Sequence, residues 1–190
     1  KTTGNAHEEL TGATRGIKLT FHHNRPNPVS HPGPYMTRPE LAQRIYQSSH
    51  LTGQFTLRSG PTATEYFDKY QFETAPELLH EIATHLQPLI PDSTDILAGL
   101  ELGGVPIATM LSQLSGLPTC LVRKEAKKYG TCKLAEGPDL SGKNLLIGAT
   151  VTHAICVIDR ESGGTENLAK EGIELNALFH MSELRASTIS

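Results

Sequence analysis

The chain has 190 residues, 19% of them charged, and a formal net charge of −3. That suits one domain with a full core and excludes a surface that is basic throughout, so any anion site must be a local concentration of cations. No apolar run reaches the roughly 20 residues of a membrane span and no secretory signal opens the sequence; Cys120, Cys132 and Cys156 form neither a C-x-x-C pair nor a zinc pattern, which fits a reducing cytoplasm.

Residues 1–35 are rich in Gly, Thr, Asn, His and Pro and hold no helical or strand period. They are expected to be a flexible leader or an appended, non-native segment, with Met36 a native start and residues 36–190 a single domain. His22, His23 and His31 could suggest a metal, but a solvated, proline-punctuated stretch accounts for them too, and no protein metal site is assigned.

Thr37-Arg38-Pro39-Glu40 is a capping box with proline in the first turn. Leu41, Ala42, Ile45 and Tyr46 then recur on one helical face. Thr74-Ala75-Pro76-Glu77 repeats the start signal for a helix carrying Leu78, Leu79, Ile82, Ala83 and Leu86, ended by Pro88. Between the two helices, Gln54–Leu57 and Glu65–Tyr70 are β-rich runs around Ser59-Gly60-Pro61 and read as an antiparallel hairpin. From Asp95 short apolar strands alternate with helices. Strands are expected at Asp95–Ala98, Thr119–Val122, Leu145–Ile147, Ala154–Ile158 and Leu175–Phe179, and helices at Val105–Leu114 and Glu166–Glu171. This is the pattern of an α/β fold with a parallel sheet.

Four stretches carry chemistry. Gly99-Leu100-Glu101-Leu102-Gly103-Gly104-Val105-Pro106 joins a strand to a helix, where bare backbone N–H groups and the helix N-terminus suit an anion. It is neither a Walker loop nor a dinucleotide fingerprint, and glycines at such a turn are also ordinary. Arg123–Lys133 holds five basic residues in eleven positions. As a helix it would set Arg123 against Lys127 and Lys124 against Lys128, costing about 0.2–0.5 kcal/mol per pair, and Gly130 and Thr131 weaken helix further. A mobile loop that orders around a polyanion explains the run, as does a solvated basic turn; its place just after a buried strand, where open α/β sheets bind ligands, favours the loop. Ile158–Gly164 carries Arg160, which could grip a planar carboxylate with two parallel hydrogen bonds or form a structural pair with Asp159. Thr56–Gly60 with Tyr66-Phe67-Asp68 offers Arg58 as an anion ligand and Phe67 as a platform for a flat ring, or simply a hairpin with core aromatics.

Taken in this order, the stretches resemble the orotate phosphoribosyltransferase family from about Leu41 to Leu184. The most specific piece is Val122-Arg123-Lys124-Glu125-Ala126-Lys127 with Tyr129-Gly130 and Leu134-Ala135-Glu136-Gly137, similar to the family's flexible catalytic loop. The resemblance implies a type I phosphoribosyltransferase-like parallel sheet flanked by helices, with a small N-terminal helix and antiparallel hood. It implies orotate and phosphoribosyl pyrophosphate as substrates, orotidine 5'-monophosphate and pyrophosphate as products, a place in pyrimidine (UMP) biosynthesis, and Mg²⁺ held mainly through phosphoribosyl pyrophosphate. It also implies a homodimer whose basic loop reaches the neighbour's site, with no nucleic acid or membrane as partner. Arg123, Lys124 and Lys127 fall on the pyrophosphate-binding, catalytic positions. Arg58, Phe67 and Tyr129 fall near the substrates, Arg160 on the arginine that contacts the orotate carboxylate, and Gly103 and Gly104 on the phosphate loop.

The sequence departs from the family at three places. Gly103 stands where some members carry a lysine, so one phosphate contact is expected to be lost. Tyr129 stands where many carry a histidine. The family's acidic pair and Thr/Gly-rich phosphate loop should follow Leu145–Ile147, yet the chain passes straight to Gly148-Ala149-Thr150-Val151. Two buried parallel strands need a crossover of at least ~10–12 residues, and Gly148 reads as the glycine after a helix with no helix before it. A segment between Ile147 and Gly148 is therefore expected; an intact mass equal to the 20.6 kDa of these 190 residues would contradict that expectation. Two other readings compete. One is a phosphoribosyltransferase for another base, which Arg160 argues against because neutral purines need no carboxylate partner. The other is a ligand-sensing regulator on the same fold, for which residues 1–35, with only Lys1, Arg15, Lys18 and Arg25 as cations, make a thin nucleic-acid arm.

Overall fold

A computed structural model describes residues 35–56, 60–146 and 151–187. The expectations for the leader histidines and for Arg58 lie outside the described residues.

The chain docks before its first helix begins. The N–H groups of Tyr35 and Met36 each donate to the Glu81 carboxylate at 3.0 Å, and Glu81 is buried. Helix α1 (Arg38–Ser49) starts with the expected capping box, in which Thr37 and Glu40 each satisfy the other's backbone N–H. Its Leu41, Ala42 and Ile45 are buried. Strands β1 (His50–Thr56) and β2 (Thr62–Phe67) form the two-stranded antiparallel hood, with His50 opposite Phe67.

The run expected to continue as strand to Tyr70 stops at Phe67. Asp68 accepts the Tyr70 N–H at 3.1 Å and the Gln71 side-chain amide at 2.9 Å, an Asx-type arrangement that turns the backbone into the short helix α2 (Tyr70–Glu73). Helix α3 (Pro76–Leu86) starts where the proline predicts, but without a side-chain cap. Thr74 does not cap it; its hydroxyl donates back to the Tyr70 carbonyl at 2.7 Å and closes α2. Pro88 ends α3 inside a 3₁₀ turn, Gln87–Leu89.

The remaining strands are β3 (Ile96–Leu100), β4 (Thr119–Val122), β5 (Ala135–Glu136), β6 (Leu145–Leu146), β7 (Val151–Asp159) and β8 (Glu174–His180). They form one sheet in the order β5-β4-β3-β6-β7-β8, parallel except where β5 runs against β4. Helices α4 (Gly104–Ser115), α5 (Gly164–Lys170) and α6 (Met181–Ala186) complete the fold. Gly116, with φ 73°, ends α4 in the left-handed region that a side chain would strain. Leu41, Ile45, Ile82, Leu86, Leu111 and Leu184 of the helices pack on Leu97, Leu146 and Phe179 of the sheet. Ile96, Ala98, Cys120 and Leu145 form a smaller cluster, in keeping with side chains that alternate between the faces of a strand.

Successive strands leave β3 in both directions, β4 on one side and β6 on the other. Such a switch opens a crevice at the carboxyl ends of the strands, which is where the glycine turn after β3 lies. The strands β6 and β7 pair in parallel, Leu145 opposite Val151 and Leu146 opposite His153, with an irregular register between. Only residues 147–150, outside the described residues, join them.

Candidate active site

A cavity of about 380 Å³ opens in this crevice. The end of β2 gives it Phe67, and α2 and its first flank give Lys69, Phe72 and Glu73. The turn after β3 gives Glu101, Gly103 and Gly104, and the end of β7 gives Arg160. Three sequence-remote segments thus converge, and the two-stranded hood meets the parallel sheet there.

The glycine turn is tight for a steric reason. A Cβ on Gly99 would lie 2.8 Å from the Gly104 carbonyl oxygen and 3.0 Å from Val105 Cα, so a side chain there would push α4 off β3. Keeping α4 close sets its first turn, with no side-chain cap, against the cavity. The partial positive charge of the helix end faces any anion bound there; of its first-turn N–H groups, that of Val105 is taken by the Leu102 carbonyl at 3.2 Å and Pro106 has none. Gly103 and Gly104 line the cavity at this turn.

Arg160 reaches across the cavity to the hood, donating from Nη2 to the Phe67 carbonyl at 3.3 Å. A guanidinium has five N–H donors, so most of the fork remains for a ligand. Asp159 is not its partner. That carboxylate accepts the Glu161 N–H at 2.9 Å and the Thr165 hydroxyl at 2.8 Å; these bonds, with His180 at 3.7 Å, hold it below the usual carboxylate range. Asp159 shapes the turn, and of the two sequence readings the structural Asp159–Arg160 pair is not formed. Glu161, held at φ 55°, braces the turn from the other side by accepting the N–H and hydroxyl of Ser182 at 2.8 and 3.0 Å.

The basic run forms no helix, as the like-charge argument predicts. The Arg123 N–H donates to the Leu134 carbonyl at 2.9 Å, closing its root. The Lys124 N–H donates to Glu101 Oε1 at 2.7 Å, tying that root to the glycine turn. Arg123 and Lys127 converge on Glu136, Arg123 Nε at 3.6 Å and Lys127 Nζ in closer contact with the same oxygen. Lys127 foremost, and Arg123, hold the Glu136 carboxyl below its ordinary range. Tyr129 is exposed, with the Lys127 ammonium 5.7 Å from its ring centre. Within this chain none of Arg123, Lys124, Lys127 and Tyr129 lines the cavity.

Sequence reasoning missed Lys69, Glu73 and Glu101 as cavity residues. Lys69 and Glu73 stand at the i,i+4 spacing of a helical ion pair, a signal hidden where Glu65–Tyr70 reads as strand. Glu73 is buried beside Lys69 at 3.4 Å; burial raises its carboxyl above the usual range, against the lowering pull of Lys69. Among the described residues no group of three or more His, Cys, Asp or Glu side chains could cage a metal ion. The two cavity carboxylates are engaged by Lys69 and by the Lys124 N–H.

No family model matches the chain. Among curated proteins it is 48% identical over 168 residues to the orotate phosphoribosyltransferase of Nocardioides sp., covering 77% of this chain and 94% of that protein. It is 38% identical over 167 residues to the orotate phosphoribosyltransferase of Methanocella arvoryzae, covering 76% and 95%. Among solved structures, the orotate phosphoribosyltransferase of Mycobacterium tuberculosis in complex with Fe(III) dicitrate superposes with a TM-score of 0.68 at 27% identity, over 77% of this chain and 98% of that one. A phosphoribosyltransferase from Corynebacterium diphtheriae does so with 0.67 at 26% identity, over 78% and 98%.

Proposed function

The chain belongs to the orotate phosphoribosyltransferase family, and on that premise we propose that it joins orotate to the ribose of phosphoribosyl pyrophosphate, forming orotidine 5'-monophosphate and pyrophosphate. The observation that carries this reading is Arg160 on the cavity wall beside Phe67, most of its donors unspent. A planar ring bearing a carboxylate uses both features, the ring against Phe67 and the carboxylate on the guanidinium fork.

In the reaction the orotate ring nitrogen attacks the anomeric carbon as the bond to pyrophosphate breaks. Positive charge develops on the sugar and negative charge on the departing group. The first turn of α4, at Gly103 and Gly104, supplies fixed dipoles toward the latter, which need no reorganisation as the charge grows. Mg²⁺, when bound with the substrate, neutralises phosphate charge. Arg123, Lys124 and Lys127 stand outside their own chain's cavity. This supports a homodimer in which the loop serves the partner's site, with Tyr129 carried alongside and Arg58 a further anion ligand. Closure of that loop excludes water that would hydrolyse the sugar. We place the protein in the cytoplasm, in pyrimidine synthesis; its three cysteines are free, and no described helix is long and apolar enough to cross a membrane.

The test is base selectivity. Protein, phosphoribosyl pyrophosphate and Mg²⁺ are incubated separately with orotate, uracil, adenine and hypoxanthine, and nucleotides are separated by chromatography. Product from orotate alone supports the reading; a nucleotide of another base replaces orotate with that base. One observation favours a second reading. The direct β6–β7 junction, where the family places its acidic pair and phosphate loop, fits a non-catalytic ligand-sensing relative. Such a chain would bind orotate without consuming it, and a DNA titration would show whether it also contacts nucleic acid.

A further inference from the structure

The sequence implies that glycine at 103 costs this site a cation. The geometry says otherwise. A Cβ on Gly103 would overlap the Lys69 ammonium outright and fall 2.8 Å from Glu73 Oε1. The space a side chain at 103 would fill is therefore occupied by the charged end of Lys69, delivered from the hood side of the cavity.

Glu73 sets that position. The Lys69 Nζ lies 3.4 Å from Glu73 Oε1, one helical turn along α2. The Glu73 side chain is 5% exposed while that of Lys69 is 43% exposed, so the carboxylate is fixed by packing and the ammonium still faces the opening. Lysine has three N–H donors, and Glu73 engages only one of them. The second Glu73 oxygen is buried, has no hydrogen-bond partner and belongs to a residue that lines the cavity. A buried acceptor left unmet is costly, and a ligand hydroxyl or N–H meets it. Beside the pair stands the first turn of α4, a 12-residue helix with no side-chain cap. Of the other charged groups on the wall, Glu101 is engaged by the Lys124 N–H and Arg160 adds positive charge.

We propose that Lys69, placed by Glu73 in the space that Gly103 leaves open, is a further anion-binding residue of this site and takes oxygens of the pyrophosphate group of phosphoribosyl pyrophosphate. Glu73 is then a positioning residue, and glycine at 103 is required because any side chain there evicts the cation. The proposal rests on the transferase reading for the identity of the substrate, not for the existence of the anion site.

The test uses calorimetric titration of the full chain with inorganic pyrophosphate in Mg²⁺, and separately with orotate. Lys69→Met and Gly103→Ala are each expected to weaken pyrophosphate about tenfold, the scale of one charged hydrogen bond. Both should leave orotate affinity within about twofold. In Gly103→Ala the flexible end of Lys69 must move away and the Glu73 carboxylate must shift slightly, the nearest atoms all being side-chain ones, so its melting temperature should fall only slightly. The double variant Lys69→Met/Gly103→Lys, which returns a cation from the other side, should recover most of the lost affinity. Lys69→Met binding pyrophosphate as tightly as the parent overturns the proposal, as does a parent chain that binds no pyrophosphate. Should the parent leave orotate unconsumed while Lys69→Met still weakens pyrophosphate, the anion site stands and the transferase reading falls. Should the parent turn over normally with Lys69→Met unaffected, Lys69 alone falls.

Discussion

The backbone N–H of Lys124 donates to Glu101 Oε1 at 2.7 Å across 23 residues, fastening the root of the basic loop to the turn that feeds α4. Inside the loop the Lys127 N–H donates to the Lys133 carbonyl at 3.3 Å and the Cys132 N–H to the Tyr129 carbonyl at 3.2 Å. Glu101→Ala should free that root and raise the rate of limited trypsin cleavage within 123–133 several-fold, with little change in melting temperature. Loss of one charge-assisted bond at an exposed position is worth about 1–2 kcal/mol locally. Unchanged cleavage would mean that the loop is held elsewhere.

Glu136 engages Arg123 and Lys127 at one oxygen, so a phosphate that recruits these cations must first displace it. Glu136→Gln should tighten pyrophosphate binding several-fold, since the charged competitor is gone. The pH dependence has a definite sign. The Glu136 carboxyl is held below its ordinary value by Lys127 and then Arg123, so the pairing is present above that ordinary value and is lost as pH falls through the lowered one. Trypsin sensitivity of the loop should rise in that acid window in the parent and be flat there in Glu136→Gln. A parent profile that is equally flat would sink the idea.

Arg160 binds the hood through the Phe67 carbonyl with one donor and leaves the rest of its fork to the ligand. Arg160→Lys keeps the charge and loses the bidentate geometry. Orotate affinity should fall about tenfold in Arg160→Lys and further in Arg160→Ala, while pyrophosphate affinity moves little; the range follows from about 1.5–3 kcal/mol for bonds to a charged group. Titration of both ligands checks this, and equal losses for the two would contradict the assignment of Arg160 to the base.

The thiols should separate by environment. Burial pushes the Cys156 thiol up to about 11, with Asp159 adding to the shift, and burial likewise raises Cys120, whereas Cys132 is exposed. At pH 8 one equivalent of a thiol reagent should react quickly, at Cys132, with the other two following only on unfolding, because the thiolate is the nucleophile. Rapid reaction of Cys156 in the folded protein would contradict its placement inside β7.

Much of this architecture is legible in the chain because local signals and tertiary demands agree. The Thr37–Glu40 box starts α1 where it reads, β4 occupies Thr119–Val122 as expected, and the charge repulsion that argues against helix in the basic run is respected. Two of the misreadings share a cause, which is competition among short polar side chains. Asp68 diverts a β-rich run into α2, and Thr74 spends its hydroxyl closing that helix instead of opening the next. The short helix α6 went unread because six residues carry too little period. Lys69 could not be read as a cavity cation, since only folding brings the hood against Gly103.

The central claim, transfer of a phosphoribosyl group to orotate, is tested most directly by mixing the purified protein with orotate, phosphoribosyl pyrophosphate and Mg²⁺ and following the loss of orotate absorbance. The account predicts loss that stops when any one of the three is withheld and that is abolished or sharply slowed by Arg160→Ala. Orotate left intact beside a well-folded protein would contradict it and would mark the direct β6–β7 junction as the point where the chemistry was lost.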